Sequence, residues 1–228
     1  MTQLYLISPP QIENLPAFAK TLTEILEAAK GTVGSFQLRL KSDQKEPASG
    51  KLTLPPASRD SVLKAAELLI PICHQFEIPF ILNDQPQIAK ECGADGVHIG
   101  QEDGDMKATR IIVGEDAVIG VSCHDSRHLA MEAGEAGADY VAFGAFFPTT
   151  SKTEAAQKVW GVPTPDIIKD WVETTVVPCV AIGGITPQNC RPLVEAGADF
   201  LAVITCIWNH KESPTKAVSE FSSILGAK

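Results

Sequence analysis

Nowhere does this 228-residue chain string together the roughly 18 apolar residues that a membrane-spanning helix needs. A basic surplus is also missing. Lys and Arg total 19 against 28 Asp and Glu, giving a net charge of -9 and a sequence pI of about 5.0. Such a chain is poorly suited to general nucleic-acid or anionic-membrane binding, although a small basic pocket stays open to it. The six cysteines are scattered, with no C-x-x-C pair. They read as reduced, mostly buried thiols of a cytoplasmic protein, and a structural zinc site is not expected. The N-terminus shows no basic stretch followed by an apolar one, so no signal peptide is expected. Ser122, His124 and Asp125 crowd together at one place, which does not make a Ser–His–Asp triad.

What is present is ordinary globular material, 44% hydrophobic and 21% charged, enough for one large core. Length alone would permit two domains, but α/β barrels of this size form one, and residues 1–228 are read as a single domain. Short apolar runs at Leu4–Ile7, Val33–Leu40, Ile81–Leu82, Gly96–Ile99, Ala117–Val121, Tyr140–Phe143, Val177–Ile182 and Phe200–Ile204 predict eight strands. Helical spacing between them predicts helices over 15–29, 62–76 and 217–225, with another from Asp125 or Ser126 to Ala136. Pro71 is expected to bend or shorten the second helix, and Thr186-Pro187 to open one as cap and first residue. The segment 42–57, rich in Pro, Ser, Lys and Gly, is either a functional loop or a surface insertion.

One pattern recurs three times: Cys92-Gly93-Ala94-Asp95, Ala136-Gly137-Ala138-Asp139 and Ala196-Gly197-Ala198-Asp199, each leading into a strand. A repeated helix-to-strand junction in an alternating chain argues for parallel βα units, and eight of them for a closed (β/α)₈ TIM barrel. The aspartates of the repeat would then lie at strand N-termini, where a structural role is expected.

The opposite strand ends are polar. Strand two offers Gln37, Arg39 and Lys41, strand three Asn83 and Asp84, and strand four Gln101 and Asp103. Strand five offers Ser122 and His124, strand six Thr149, Ser151 and Lys152, and strands seven and eight Gly184, Ile204 and Thr205. In a barrel these groups face one bowl, the usual place for ligands. Arg39, Lys41 and Lys152 with Asp84 and Asp103 suit a pyrophosphate and Mg²⁺, which binds through one or two carboxylates plus substrate phosphates. The same charges could instead pair on the rim, and Asp84 and Asp103 could cap helices. Gly183-Gly184 with Ile204-Thr205 suits a second phosphate held by backbone N–H groups. His98 reads as a core histidine with its hydrogen bonds satisfied, and Trp160, Trp171 and Trp208 as packing residues.

Gln37-Leu38-Arg39-Leu40-Lys41, Asn83-Asp84, Gly93 to Asp103, Gly120-Val121-Ser122, Pro148 to Lys152 and Ala181 to Ile185 occur in this order along the chain. As a set the chain resembles the thiamine-phosphate synthase/TenI family over nearly its whole length. The resemblance implies a (β/α)₈ barrel and a transferase. It would join hydroxymethylpyrimidine diphosphate to thiazole phosphate, releasing pyrophosphate by a Mg²⁺-assisted dissociative route. It further implies that Gln37 contacts the pyrimidine, that Arg39, Lys41, Asn83 and Lys152 hold the diphosphate, and that Asp84 and Asp103 bind Mg²⁺. Ser122 would sit near the leaving group, Thr149 and Ser151 in the loop over the substrates, and Gly184, Ile204 and Thr205 at the thiazole phosphate. Ser151 and Thr205 stand where the family commonly has threonine and serine, and both keep a hydroxyl. His124 resembles the acid/base residue of the TenI branch, which isomerises the thiazole phosphate. A tautomerase is therefore one alternative and a non-catalytic sensor of a phosphorylated ligand another. The partners expected are phosphorylated small molecules, with no nucleic acid or membrane, and assembly as a homo-oligomer is left open.

Overall fold

The computed structural model describes residues 1–29, 31–42, 54–149 and 161–226. Strands β1 (Gln3–Ile7), β2 (Val33–Leu38), β3 (Phe80–Asn83), β4 (Gly96–Ile99), β5 (Val118–His124), β6 (Tyr140–Gly144), β7 (Cys179–Ile182) and β8 (Phe200–Val203) close into a barrel in sequence order. Every neighbouring pair is parallel, including β1 with β8. The helices are α1 (Leu15–Ala28), α2 (Arg59–Gln75), α3 (Pro86–Cys92), α4 (Met106–Val113), α5 (Arg127–Glu135), α6 (Pro165–Thr174), α7 (Arg191–Glu195), α8 (Thr205–Trp208) and α9 (Pro214–Leu225). Among the described residues none of them is long and apolar enough to cross a membrane.

Alternation along each strand divides the core. Leu4, Leu6, Phe36, Leu38, Phe80 and Leu82 face outward and pack under the helices. Tyr5, Ile7, Ile81, Tyr140, Ala142, Val180 and Ala202 form a separate cluster inside the barrel. Period two in the sequence thus becomes two layers of packing. Gly120 sits in that interior, in register with His98 on β4 and with Tyr140 on β6. A Cβ on it would fall on the Tyr140 ring and hydroxyl. Gly120→Ala is therefore expected to destabilise the barrel by about 1–3 kcal/mol through overpacking, read from urea unfolding. An unchanged midpoint would mean that Tyr140 relaxes at no cost.

The three repeated aspartates perform one structural task. The Oδ2 of Asp95 accepts from Phe80 N at 2.7 Å, that of Asp139 from Ile119 N at 2.8 Å, and that of Asp199 from Cys179 N at 2.8 Å. Each clips the start of the preceding strand, satisfying a donor that the parallel ladder leaves over.

Helix α2 runs through Pro71 to Gln75, so the proline does not shorten it. One local expectation fails. Thr186-Pro187 starts a turn rather than a helix. The N–H groups of Asn189 and Cys190 bond back to the Thr186 carbonyl at 3.2 and 3.1 Å, and α7 begins only at Arg191. The side chain of Asn189 ties this turn together, accepting from Thr186 N at 2.8 Å and donating to the Gly184 carbonyl at 2.9 Å, while Cys190 at the start of α7 provides no side-chain cap. Of the 42–57 loop, residues 43–53 lie outside the described residues.

Candidate functional site

The C-terminal strand ends surround a cavity of about 480 Å³. Gln37, Arg39, Lys41, Asn83, Asp84, Asp103, Ser122, His124, Thr149, Gly184, Ile204 and Thr205 all line it. Ser151 and Lys152 lie outside the described residues, as does Trp160. The barrel thus brings together residues that are as much as 168 positions apart, from Gln37 to Thr205.

One wall is built from charge. The ammonium of Lys41 pairs with Asp84, their side chains only 3% and 12% exposed. Asp84 reaches this place at φ 65°, a left-handed turn residue immediately past β3, with its N–H bonded to the His98 carbonyl at 2.8 Å. Asp103 curls back so that its Oδ2 accepts from Gly100 N at 2.9 Å. Burial, followed by the charge of Asp84 and a hydrogen bond with it, pushes the Asp103 carboxyl up to about 6. Two carboxyl groups sharing one site resist joint ionisation unless a cation joins them. Arg39 borders the same wall and is partly buried. Burial lowers its pKa, while the charges of Asp84 and Asp103 act in the opposite direction. Asn83 is 6% exposed and its Nδ2 finds no hydrogen-bond partner among the described residues. Buried amide donors are seldom left unpaired in a finished structure, so this one marks a place for a ligand acceptor.

The chemistry of the two acids is compatible with a divalent cation. Among the described residues there is no cluster of three or more potential metal ligands. Two carboxylates beside two cations fit a Mg²⁺ that takes its remaining ligands from substrate phosphates and water.

The opposite wall is mostly backbone. Gly183 and Gly184 have φ of 104° and 63°, and a side chain at Gly184 would run into Phe147 and the Pro148 carbonyl. Only glycine fits there, and the turn borders the cavity together with Ile204 and Thr205. Strand β5 slips register against β6 between Ser122 and His124, and His124 sits at φ 55°. Such a bulge re-aims neighbouring side chains, and both residues border the cavity.

The cavity floor holds residues that the sequence reading did not assign to the site. Tyr5 and Tyr140 join hydroxyls at 2.7 Å. His98 is hydrogen-bonded as expected, but it borders the cavity as well. A signal was available, since Tyr5 and Tyr140 are the only tyrosines in the chain and both lie inside predicted strands.

The family model and the curated relatives that the chain matches point to one family. The model of the family described as thiamine monophosphate synthase matches residues 4–207. The chain is 48% identical over 223 residues to the thiamine-phosphate synthase of Rhodospirillum centenum, covering 98% of this chain and 97% of that one. It is 47% identical over 227 residues to the enzyme of the same name from Erythrobacter litoralis, covering 99% and 96%. Among solved structures it is similar to the thiamine phosphate pyrophosphorylase of Pyrococcus furiosus, at 26% identity and a TM-score of 0.77 over 98% of this chain and 95% of that one.

Proposed function

The chain belongs to the thiamine monophosphate synthase family, and from that premise we propose that it joins hydroxymethylpyrimidine diphosphate to thiazole phosphate, releasing pyrophosphate and forming thiamine phosphate. The observation that carries this to the present site is the buried Nδ2 of Asn83, without a partner among the described residues, beside the Lys41–Asp84 pair. It is a donor kept for an anion, on the wall where Arg39 and two carboxyl groups also converge.

In the proposed reaction the bond between the pyrimidine methylene and the diphosphate oxygen breaks, and its electron pair leaves with the diphosphate. The thiazole nitrogen then gives its lone pair to the methylene carbon. Arg39, Lys41 and Asn83 hold the departing oxygens by charge and hydrogen bond, with Lys152 assigned to the same task from the sequence. Asp84 and Asp103 would hold Mg²⁺, which supplies positive charge to the leaving group. Gln37 faces the pyrimidine, and the Gly184, Ile204 and Thr205 backbone receives the thiazole phosphate. Thr149 borders the cavity between the two halves, with Ser151 assigned beside it from the sequence. No side chain forms a covalent bond to substrate; the protein positions two molecules and stabilises charge.

The test is product formation by the purified protein with both substrates, followed as thiochrome fluorescence. EDTA is expected to stop it and excess Mg²⁺ to restore it. If folded protein makes no thiamine phosphate but isomerises the thiazole phosphate, the tautomerase with His124 as acid/base replaces the synthase. If it does neither and still binds thiazole phosphate, a sensor does.

A further inference from the structure

A continuous hydrogen-bonded chain crosses the floor of the cavity. Gln37 Nε2 donates to Tyr5 Oη at 3.1 Å, and Tyr5 Oη meets Tyr140 Oη at 2.7 Å. Tyr140 Oη meets His98 Nδ1 at 3.0 Å, and His98 Nε2 meets Ser122 Oγ at 2.9 Å. Its members come from β2, β1, β6, β4 and β5, so only barrel closure assembles it. We propose that Tyr5, Tyr140 and His98 are a directional relay from Gln37 to Ser122, which fixes His98 as the Nε2–H tautomer and turns the Ser122 hydroxyl proton toward the departing diphosphate.

The proposed direction starts from the one fixed donor at the end of the chain, the Gln37 amide. An amide Nε2 can only donate, so Tyr5 Oη accepts a hydrogen bond from Gln37. The Tyr5 hydrogen then has two neighbouring oxygens to choose from, Ser35 and Tyr140, and the relay is the arrangement in which it goes to Tyr140. Tyr140, having received one, donates to Nδ1 of His98, which must present a lone pair. The ring proton then resides on Nε2 and is donated to Ser122 Oγ, leaving the Ser122 hydrogen for a ligand acceptor. Burial, the largest cause in each case, pushes both phenols above their ordinary pKa, so each keeps the proton that the relay needs. The His98 ring lies over that of Tyr140, with centroids 5.6 Å apart and planes 24° from parallel. From the far side Gln101 Nε2 holds the Ser122 carbonyl at 2.7 Å.

The fold makes room for this contact. Gly120 is the β5 residue directly between His98 and Tyr140 in the strand register, and a Cβ there would occupy the position of the Tyr140 hydroxyl. The gap at Gly120 is what lets a β6 phenol reach a β4 imidazole across β5. Tyr140 and His98 are positioning residues: they act on the leaving group through Ser122. This role rests on the synthase function proposed above, whereas the tautomer does not.

The experiment has two readouts. The first is the ¹⁵N spectrum of the five histidines in the metal-free protein, with His98 assigned by its loss in His98→Asn. An Nε2–H ring with a bare Nδ1 is expected in the parent, and a mixture of tautomers in Tyr140→Phe. The second is steady-state kinetics of Tyr140→Phe, where kcat should fall about 10-fold while both KM values change less than about 2-fold. A parent His98 protonated on Nδ1 overturns the relay, as does a Tyr140→Phe enzyme with undiminished kcat. A protein with the expected tautomer but no thiamine phosphate formation would defeat the synthase function and leave the relay's direction standing.

Discussion

Asp103→Asn is expected to lose about 10³-fold in Mg²⁺-supported turnover while the metal-free protein melts at or slightly above the parent's temperature. The first effect is the several kcal/mol of charge stabilisation that a divalent cation supplies to a departing anion. The second follows from the apo geometry. Burial and the neighbouring Asp84 charge push the Asp103 carboxyl up to about 6, so its ionised form is a burden on the folded state. A carboxyl raised on folding costs stability above its folded pKa. The cost fades as pH falls and is gone below the unfolded value near 3.8. Asn removes the charge and keeps an oxygen for the Gly100 N–H. The gain at pH 8 should be about 1 kcal/mol after allowance for solvent screening, disappearing below about pH 4. Differential scanning calorimetry of both proteins across this range, with EDTA present, checks the sign. A variant that melts well below the parent at pH 8 would show that Asp103 stabilises the fold in its own right.

Lys41→Met acts in the opposite sense. It removes the ammonium from a pair whose side chains are almost wholly buried, leaving Asp84 and Asp103 side by side with Arg39 as the cation remaining beside them among the described residues. Breaking such a pair by deleting one member costs about 3–5 kcal/mol. In a domain of this size that corresponds to a fall of about 10 °C in Tm. Two further measurements separate charge from packing. Adding Asp84→Asn to Lys41→Met should cost less than either substitution alone predicts, because the uncompensated carboxylate is gone. Mg²⁺ should recover part of the lost Tm, since it restores positive charge at the same carboxylates. Strict additivity in the double variant would mean that Lys41 contributes by its aliphatic stem alone.

The barrel itself was legible because its signals are local. The recurring Gly-Ala-Asp junctions mark the N-terminal ends of β4, β6 and β8, and the polar residues that end the strands mark the opposite rim. Gln37, Arg39 and Lys41 were placed on one face by period two alone, and all three border the cavity. The relay was not legible, because its contacts depend on how the strands register around a closed barrel. Tyr5 and Tyr140 are 135 residues apart, and nothing near either one announces the other. His98 shows the same difficulty at one position: its bonding was anticipated, but its partners and its place on the cavity floor depend on the gap at Gly120. At Thr186-Pro187 local signals misled. The pair has the composition of a helix start, yet Asn189 three residues on bonds back to Thr186 N and the Gly184 carbonyl and holds the segment as a turn that braces Gly184. For Ser151 and Lys152, assigned from sequence to the loop over the substrates, the described residues give no position.

The clips made by Asp95, Asp139 and Asp199 lie at the starts of strands, and the groups assigned to the cavity wall lie in the C-terminal halves of strands or beyond them. The molecule is therefore modular along its axis, with rigidity secured at one pole and recognition exposed at the other. Changes confined to distant regions tend to combine independently. Diversifying the loops at the open pole can retune which phosphorylated rings are accepted while the carboxylate staples beneath stay in place. Reinforcing the staples would, by the same independence, give such experiments a hardier starting scaffold without touching a single ligand contact.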